Sequence, residues 1–195
     1  MKIVAAIVAA GLSRRLGRPK QLLDWHGVPL VRHSTQTMID AGFVRVGVII
    51  GHQAAHVRLA LAGLPVDLTM NPEFADGQGS SVAWAARWAI EQDADALVIG
   101  LCDQPLLQPM HVQQIVAAWR ESLPAVLVPR VNQQPTNPVV WSRALFADLG
   151  GLTGEQGGRK LFQRGVATPT WHDMQCPELL EDIDSEEDYQ RLCNK

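Results

Sequence analysis

Apolar residues in this chain cluster in short, nearly continuous runs instead of alternating with polar ones. Val- and Ile-rich stretches occupy residues 2–10 (KIVAAIVAA), 44–50 (VRVGVII), 65–70 (PVDLTM), 95–101 (DALVIGL) and 125–129 (AVLVP). Strands covered on both faces look like this, whereas strands with one wet face alternate. Helical spacing fills the intervals, near 30–41, 53–62, 80–92 and 109–122, and Pro105 and Pro109 suit the start of the last of these. The alternation predicts an α/β fold: a single Rossmann-like, three-layer domain with a mostly parallel sheet and right-handed crossovers.

The pattern loosens after residue 130. A polar turn (VNQQPTNP) precedes a short strand (VVW, 139–141), and a glycine-dense loop (GGLTGEQGG, 150–158) precedes a helix from about Arg159. VATPTW (166–171) and LLEDID (179–184) read as late strands before a short acidic C-terminal helix. No repeat or shift in composition marks a second domain, so residues 1–195 form one.

Composition narrows the function classes. The 195 residues are 47% hydrophobic and 19% charged, enough for a full core. A net charge of −3 argues against a nucleic-acid binder, and no apolar run approaches the roughly 20 residues that cross a bilayer. Cys102, Cys176 and Cys193 are scattered without a CxxC pair, which points to a reducing, cytoplasmic compartment. The N-terminal MKIVAAIVAA has the residues of a signal peptide, but its dense charge follows the apolar run instead of preceding it. A buried first strand that ends in a loop accounts for it better.

Ligands of open α/β sheets bind at the carboxyl ends of strands. After the first strand comes AAGLSRRLGRPK (9–20), which is neither a Walker A loop nor a GxGxxG fingerprint. It offers free backbone amides, the Ser13 hydroxyl and the cations Arg14, Arg15, Arg18 and Lys20. Such a set cradles polyphosphate, and it equally describes a solvated basic turn. After the fourth strand comes Cys102-Asp103-Gln104-Pro105. An aspartate there either holds Mg²⁺ through oxygen or forms a turn before proline. Together, the two segments read as a nucleotide-plus-metal site.

Asp182 and Asp184 flank Ile183, and on an extended chain both carboxylates face one side. The alternative is that Asp184 or Ser185 caps the last helix, with Glu187 or Asp188 in its first turn. In NPEFADGQGSSVAWA (71–85), Ser80 or Ser81 suits an N-cap, and Asn71 adds neutral groups fit for a base or sugar. Other chemistries lack parts. His52 and His56 have no HExxH context or third ligand, no GxSxG elbow exists, and Cys102 has no adjacent base. The six tryptophans read mostly as helix-face or strand packing, with lining of an apolar substrate pocket the alternative for Trp141 or Trp171.

Taken in order, AAGLSRRLGRPKQLL, NPEFADGQGSSV, LCDQPLL, NPVVWSRALFADLGGLTGEQGGRKLF and DIDSEEDY resemble the MobA-like nucleotidyltransferases over nearly the whole chain. The nearest branch is the one that makes the cytosine dinucleotide of the molybdenum cofactor. The resemblance implies a nucleotide half over about 1–105 and an acceptor portion over about 106–195. It implies a triphosphate loop at Gly11, Ser13, Arg15, Gly17 and Lys20, with Lys20 and Arg15 on the phosphates. Ala9 and Ala10 match the cytidylyl branch, whose AAG replaces AGG, which favours CTP over GTP. Asn71 and Ser81 match positions near base and ribose, Asp103 the principal Mg²⁺ ligand, and Asp182 or Asp184 the second carboxylate. The implied acceptor is a phosphorylated small molecule, molybdopterin, with a molybdoenzyme as candidate partner. Two motifs depart from the family: Thr136-Asn137-Pro138 stands for Gly-His-Pro, and Gly154-Glu155-Gln156-Gly157-Gly158-Arg159 for Gly-Asp-x-Gly-Ala-Arg. Both lie in the acceptor portion.

Overall fold

A computed structural model describes residues 1–194. Its sheet is built from β1 (Ile3–Ala9), β4 (Val46–Ile50), β5 (Asp67–Met70), β6 (Ala96–Leu101), β7 (Val126–Val131), β8 (Gln134–Pro135), β9 (Val139–Ser142) and β10 (Thr170–Asp173). The order is β10-β7-β9-β6-β1-β4-β5, with β8 paired to β7. The β1–β4, β1–β6, β4–β5 and β7–β10 pairs are parallel. β9 runs antiparallel between β6 and β7, and β8 is antiparallel to β7. The sheet is therefore mixed but mostly parallel. A small hairpin, β2 (Asp24–Trp25) with β3 (Val28–Pro29), stands apart from it.

Burial follows from sequence parity. All seven residues of β1 are buried, and alternate ones feed opposite layers. Ile3, Ala5, Ile7 and Ala9 join the core under α1 (Leu30–Asp40), α2 (Ala54–Ala60) and α4 (Pro109–Ser122). Val4, Ala6 and Val8 join the core under α3 (Gln78–Glu91), α5 (Phe146–Gly150) and α6 (Arg159–Gln163). This two-faced burial is why the strands read as continuous apolar runs. The close approach of α3 depends on Gly47, where an added Cβ would sit 2.9 Å from the Trp88 ring. No described helix is long and apolar enough to cross a membrane.

Two sequence expectations need correcting. LLEDID is not a sheet strand. Pro177–Leu180 forms a 3₁₀ turn that the Glu181 N–H closes onto the Glu178 carbonyl. The chain then runs extended off the sheet, tied by the Ile183 N–H to the Asp103 carbonyl at 2.9 Å. Neither Ser80 nor Ser81 is an N-cap. α3 already starts at Gln78 after Gly77, and the Ser80 hydroxyl donates to the carbonyls of Glu73 and Gly77.

The last helix, α7 (Glu186–Cys193), settles the capping alternatives. Ser185 accepts from the Asp188 N–H, and the Asp188 carboxylate takes the Ser185 N–H, a reciprocal capping box. Asp184 is thereby released from capping. Ile183, fully buried with Leu23, Trp25, Leu30 and Leu192, pins this segment under the small hairpin. Truncating it leaves a cavity beneath the tail. Ile183→Ala is expected to lower unfolding free energy by roughly 2–5 kcal/mol in urea denaturation. A change within experimental error would show that this anchor does not hold the tail.

Candidate active site

Strand order reverses around β1, with β4 reached on one side and β6 on the other. A crevice opens at such a switch point, at the carboxyl ends of the strands. Here it is a cleft of about 610 Å³ formed by the loop after β1, the turn after β6, the start of α3 and the extended tail segment.

The loop after β1 is shaped from within. Gln21 is almost fully buried, and its amide donates to the carbonyls of Ala9 (3.0 Å) and Gly11 (2.7 Å). The Ser13 hydroxyl accepts the Lys20 N–H at 2.9 Å. Ser13 itself has φ 52° and Gly17 φ 72°, so the loop makes two left-handed bends. These constraints turn Lys20 into the cleft.

Lys20 Nζ donates to Asp103 Oδ2 at 3.0 Å and to Asp184 Oδ1 at 2.8 Å. Burial alone would lower its pKa, but the two carboxylates more than offset that and raise it. Asp184 also meets Arg15 at 3.0 Å. Burial pushes its carboxyl up, and the Lys20 and Arg15 contacts overcome that, leaving it below the usual range. Arg15 is 75% exposed, so its pair adds little stability and its guanidinium is free to move.

Asp182 behaves differently. Although the residue is exposed toward the cleft, the cleft walls replace much of the water around its carboxyl. That enclosure, then the neighbouring charge of Asp103, pushes its pKa up to about 7. Cys102 is pushed up to about 12 by burial and by Asp103, so a thiolate nucleophile has no place here.

The residues fit a divalent cation. Asp103 Oδ1 is buried and meets no hydrogen-bond donor, so one oxygen is left for a ligand. Asp182 and Asp184 line the same cleft with oxygen donors of the kind that Mg²⁺ and Mn²⁺ take. Lys20 stands between Asp103 and Asp184, however, and the three carboxylates do not converge on one point. Among the described residues, the three ligand atoms that do approach within 4.8 Å of one another belong to His111, Cys176 and Glu178, away from this cleft. There the Gln108 N–H donates to His111 Nδ1 at 3.3 Å, which leaves the proton on Nε2 and makes that nitrogen a donor.

The other predicted positions divide. Gly11, Ser13, Arg15, Lys20 and Ser81 line the cleft, as does Arg14. Ala9 and Ala10 are buried behind it, and Gly17 bends the loop outside it. Fully buried Asn71 donates to the hydroxyls of Ser80 (3.0 Å) and Ser81 (2.9 Å) and accepts the Glu73 N–H. It braces the α3 start from behind. Arg18 turns away, paired with Glu186 at 2.7 Å and 5.1 Å from the Tyr189 ring centroid.

Sequence reasoning missed Gln21, Gln78 and Glu155. Gln21 was hidden because a buried glutamine that braces carbonyls has no motif. Gln78 and Glu155 line both this cleft and a second one of about 600 Å³. The second cleft is bounded by the acceptor-portion motifs, including Thr136, Asn137 and Arg159. The loop bearing Glu155 lies against α3, where the Gly79 N–H donates to the Gly154 carbonyl at 2.8 Å. Gly77 has φ 107°, and a Cβ there would come within 2.6 Å of the Gly154 backbone. Glycine at this position lets the loop pack this closely on the start of α3.

The site thus combines a cation-bearing loop, an aspartate-lined cleft at the switch point and an adjoining second cleft. The sequence profile of the MobA-like NTP transferase domain matches residues 5–170. The chain belongs to the MobA-like NTP transferase family. It is 29% identical to the purine catabolism protein PucB of Bacillus subtilis, over 96% of this chain and 94% of PucB. It is 27% identical to nicotine blue oxidoreductase of Paenarthrobacter nicotinovorans, over 97% and 96% of the two chains. A probable molybdenum cofactor guanylyltransferase of Bacillus cytotoxicus shares 30% identity over 65% of this chain and 62% of its own. Among solved structures, the manganese complex of Rv0371c from Mycobacterium tuberculosis covers 100% of both chains at 26% identity and a TM-score of 0.79.

The Asp182 charge gives a test independent of activity. Its folded-state pKa stands above the ordinary carboxylate value of about 4. Between there and about 7 the folded chain holds a proton that the unfolded chain releases, so stability falls as pH rises. In metal-free buffer, Asp182→Asn is expected to raise the melting temperature at pH 8 and to leave it unchanged at pH 4. An equal effect at both pH values contradicts the charge assignment.

Proposed function

We propose that this transferase moves a cytidylyl group from CTP to molybdopterin, giving the cytosine dinucleotide and pyrophosphate. The observation that carries the reading is Lys20 beside Asp103, whose second oxygen is left for a divalent cation, in a cleft that adjoins another through shared lining residues. The likeness of Ala9-Ala10-Gly11 to the cytidylyl branch supports CTP. The relative whose name specifies a guanylyltransferase supports the family chemistry and makes GTP the competing donor.

In this reading, a phosphate oxygen of the acceptor attacks the α-phosphorus of CTP in line, and the bond to the β-phosphate breaks. Positioning and charge stabilisation carry the rate, because phosphoryl chemistry asks for little covalent help. Lys20 and Arg15 hold the β- and γ-phosphates and stabilise charge that grows on pyrophosphate. Amides of the Gly11–Ser13 segment contact the phosphates, and Ser81 contacts the nucleoside. Asp103, with Asp182 and Asp184, would hold Mg²⁺, which would supply Lewis acidity when bound.

The test is pyrophosphate release with CTP, GTP or ATP and molybdopterin as acceptor. CTP should be the preferred donor, and Lys20→Ala and Asp103→Ala should each fold and lose roughly 10²–10³ in rate. Near wild-type turnover in either variant overturns the site, and preference for GTP overturns the donor. A cofactor chaperone would deliver molybdopterin without consuming any nucleotide. Turnover on another phosphorylated small molecule, with none on molybdopterin, would instead reassign the acceptor.

A further inference from the structure

The second cleft is lined by aromatic rings, neutral amides and the charged Glu155 and Arg159. Trp141 and Phe162 stack at 5.5 Å with 16° between their planes, and Trp141 is buried. Trp171 lines the same cleft and is 42% exposed. An indole that open to water stands out, because tryptophan is highly buried on average.

The exposed indole is nevertheless held in place. It lies on β10, where Trp171 pairs with Val128 and Asp173 with Arg130 in parallel register with β7. Trp171 and Asp173, two apart on one strand, therefore lie on the same face. Arg130 grips Asp173 with two bonds, Nε to Oδ1 at 2.6 Å and Nη2 to Oδ2 at 3.1 Å. Its guanidinium also lies 5.7 Å from the Trp171 ring centroid. A planar fork anchored at its far end and set near a ring limits that ring's rotamers.

We infer that Trp171, clamped by Arg130 and Asp173, is a stacking platform that selects a planar heteroaromatic acceptor in the second cleft. The inference rests on the acceptor reading above and adds the residue that discriminates a flat heteroaromatic acceptor from another phosphorylated small molecule. Two features of the cleft support it. A ring pre-set in orientation loses little entropy on stacking. The cleft's neutral amides, Gln78, Asn137, Gln156 and Gln163, with the Thr136 hydroxyl and the Glu155 carboxylate, suit the donor-and-acceptor edge of a heterocycle. Arg159 is the cation that lines the cleft, enough for one phosphate group. Trp171 is a positioning and specificity residue, since it reaches no bond that forms or breaks.

The test is calorimetric titration of the full-length protein with neopterin, a free pterin, in the presence of Mg²⁺. Trp171→Ala should weaken binding by roughly 5- to 150-fold, the loss expected on deleting a base-stacking aromatic. Trp171→Phe should bind nearly as well as wild type, and Arg130→Met should show a smaller loss than Trp171→Ala. Stabilisation by CTP with Mg²⁺ should be the same in all four proteins, which separates a platform from a folding defect. Equal affinity of wild type and Trp171→Ala overturns the inference. Failure of the wild type to bind neopterin, with CTP stabilisation intact, also overturns it and leaves the nucleotide assignment standing.

Discussion

The contact on which the site depends is the Lys20 ammonium shared between Asp103 and Asp184. It draws together the loop after β1, the turn after β6 and the tail after the last 3₁₀ turn, three segments far apart in sequence. Each carboxylate would be costly if left unpaired in so enclosed a place. The ammonium is equally costly there alone, so all three charges fix one another. The arrangement also places a cation where a nucleotidyltransferase has use for one. A divalent ion at the free Asp103 oxygen and phosphates alongside would compete with Lys20 for the carboxylates and offer it phosphate oxygens in return.

Neutral contacts hold this charged centre in register. Gln21 fixes the loop from behind through two carbonyls, and Asn71 fixes the start of α3 through two hydroxyls. Ile183 anchors the tail in an apolar cluster while its N–H bonds the Asp103 carbonyl. Packing and backbone bonds therefore place the aspartates, and charge refines the result. Gln78, Leu101 and Glu155 line both clefts, and the close packing of the Gly154 backbone on Gly77 and Gly79 holds that shared wall.

Much of this was legible in the sequence because burial on two faces leaves an unmistakable apolar run. The five main strands and four main helices fall where the runs predict, and α4 matches its predicted span of 109–122. The small hairpin, β8 and α5 escaped, being only two to five residues long and so carrying no periodicity. LLEDID misled because alternation around a buried Ile183 is what a strand would show. The chain is indeed extended there, but Pro177 starts a turn and the segment never joins the sheet. That same extension let the sequence foresee Asp182 and Asp184 facing one cleft. Gln21 was not foreseeable, since its role lies in the carbonyls it braces rather than in a motif.

The most direct measurement of the central claim is a crystal structure of the protein with CTP and Mn²⁺, read by anomalous scattering. The account predicts a manganese peak at bonding distance from Asp103 Oδ1 and a triphosphate along Gly11–Lys20. It also predicts that Lys20 Nζ leaves Asp103 for a phosphate oxygen. Nucleotide or metal bound away from this cleft, with Lys20 still bridging Asp103 and Asp184, would contradict it.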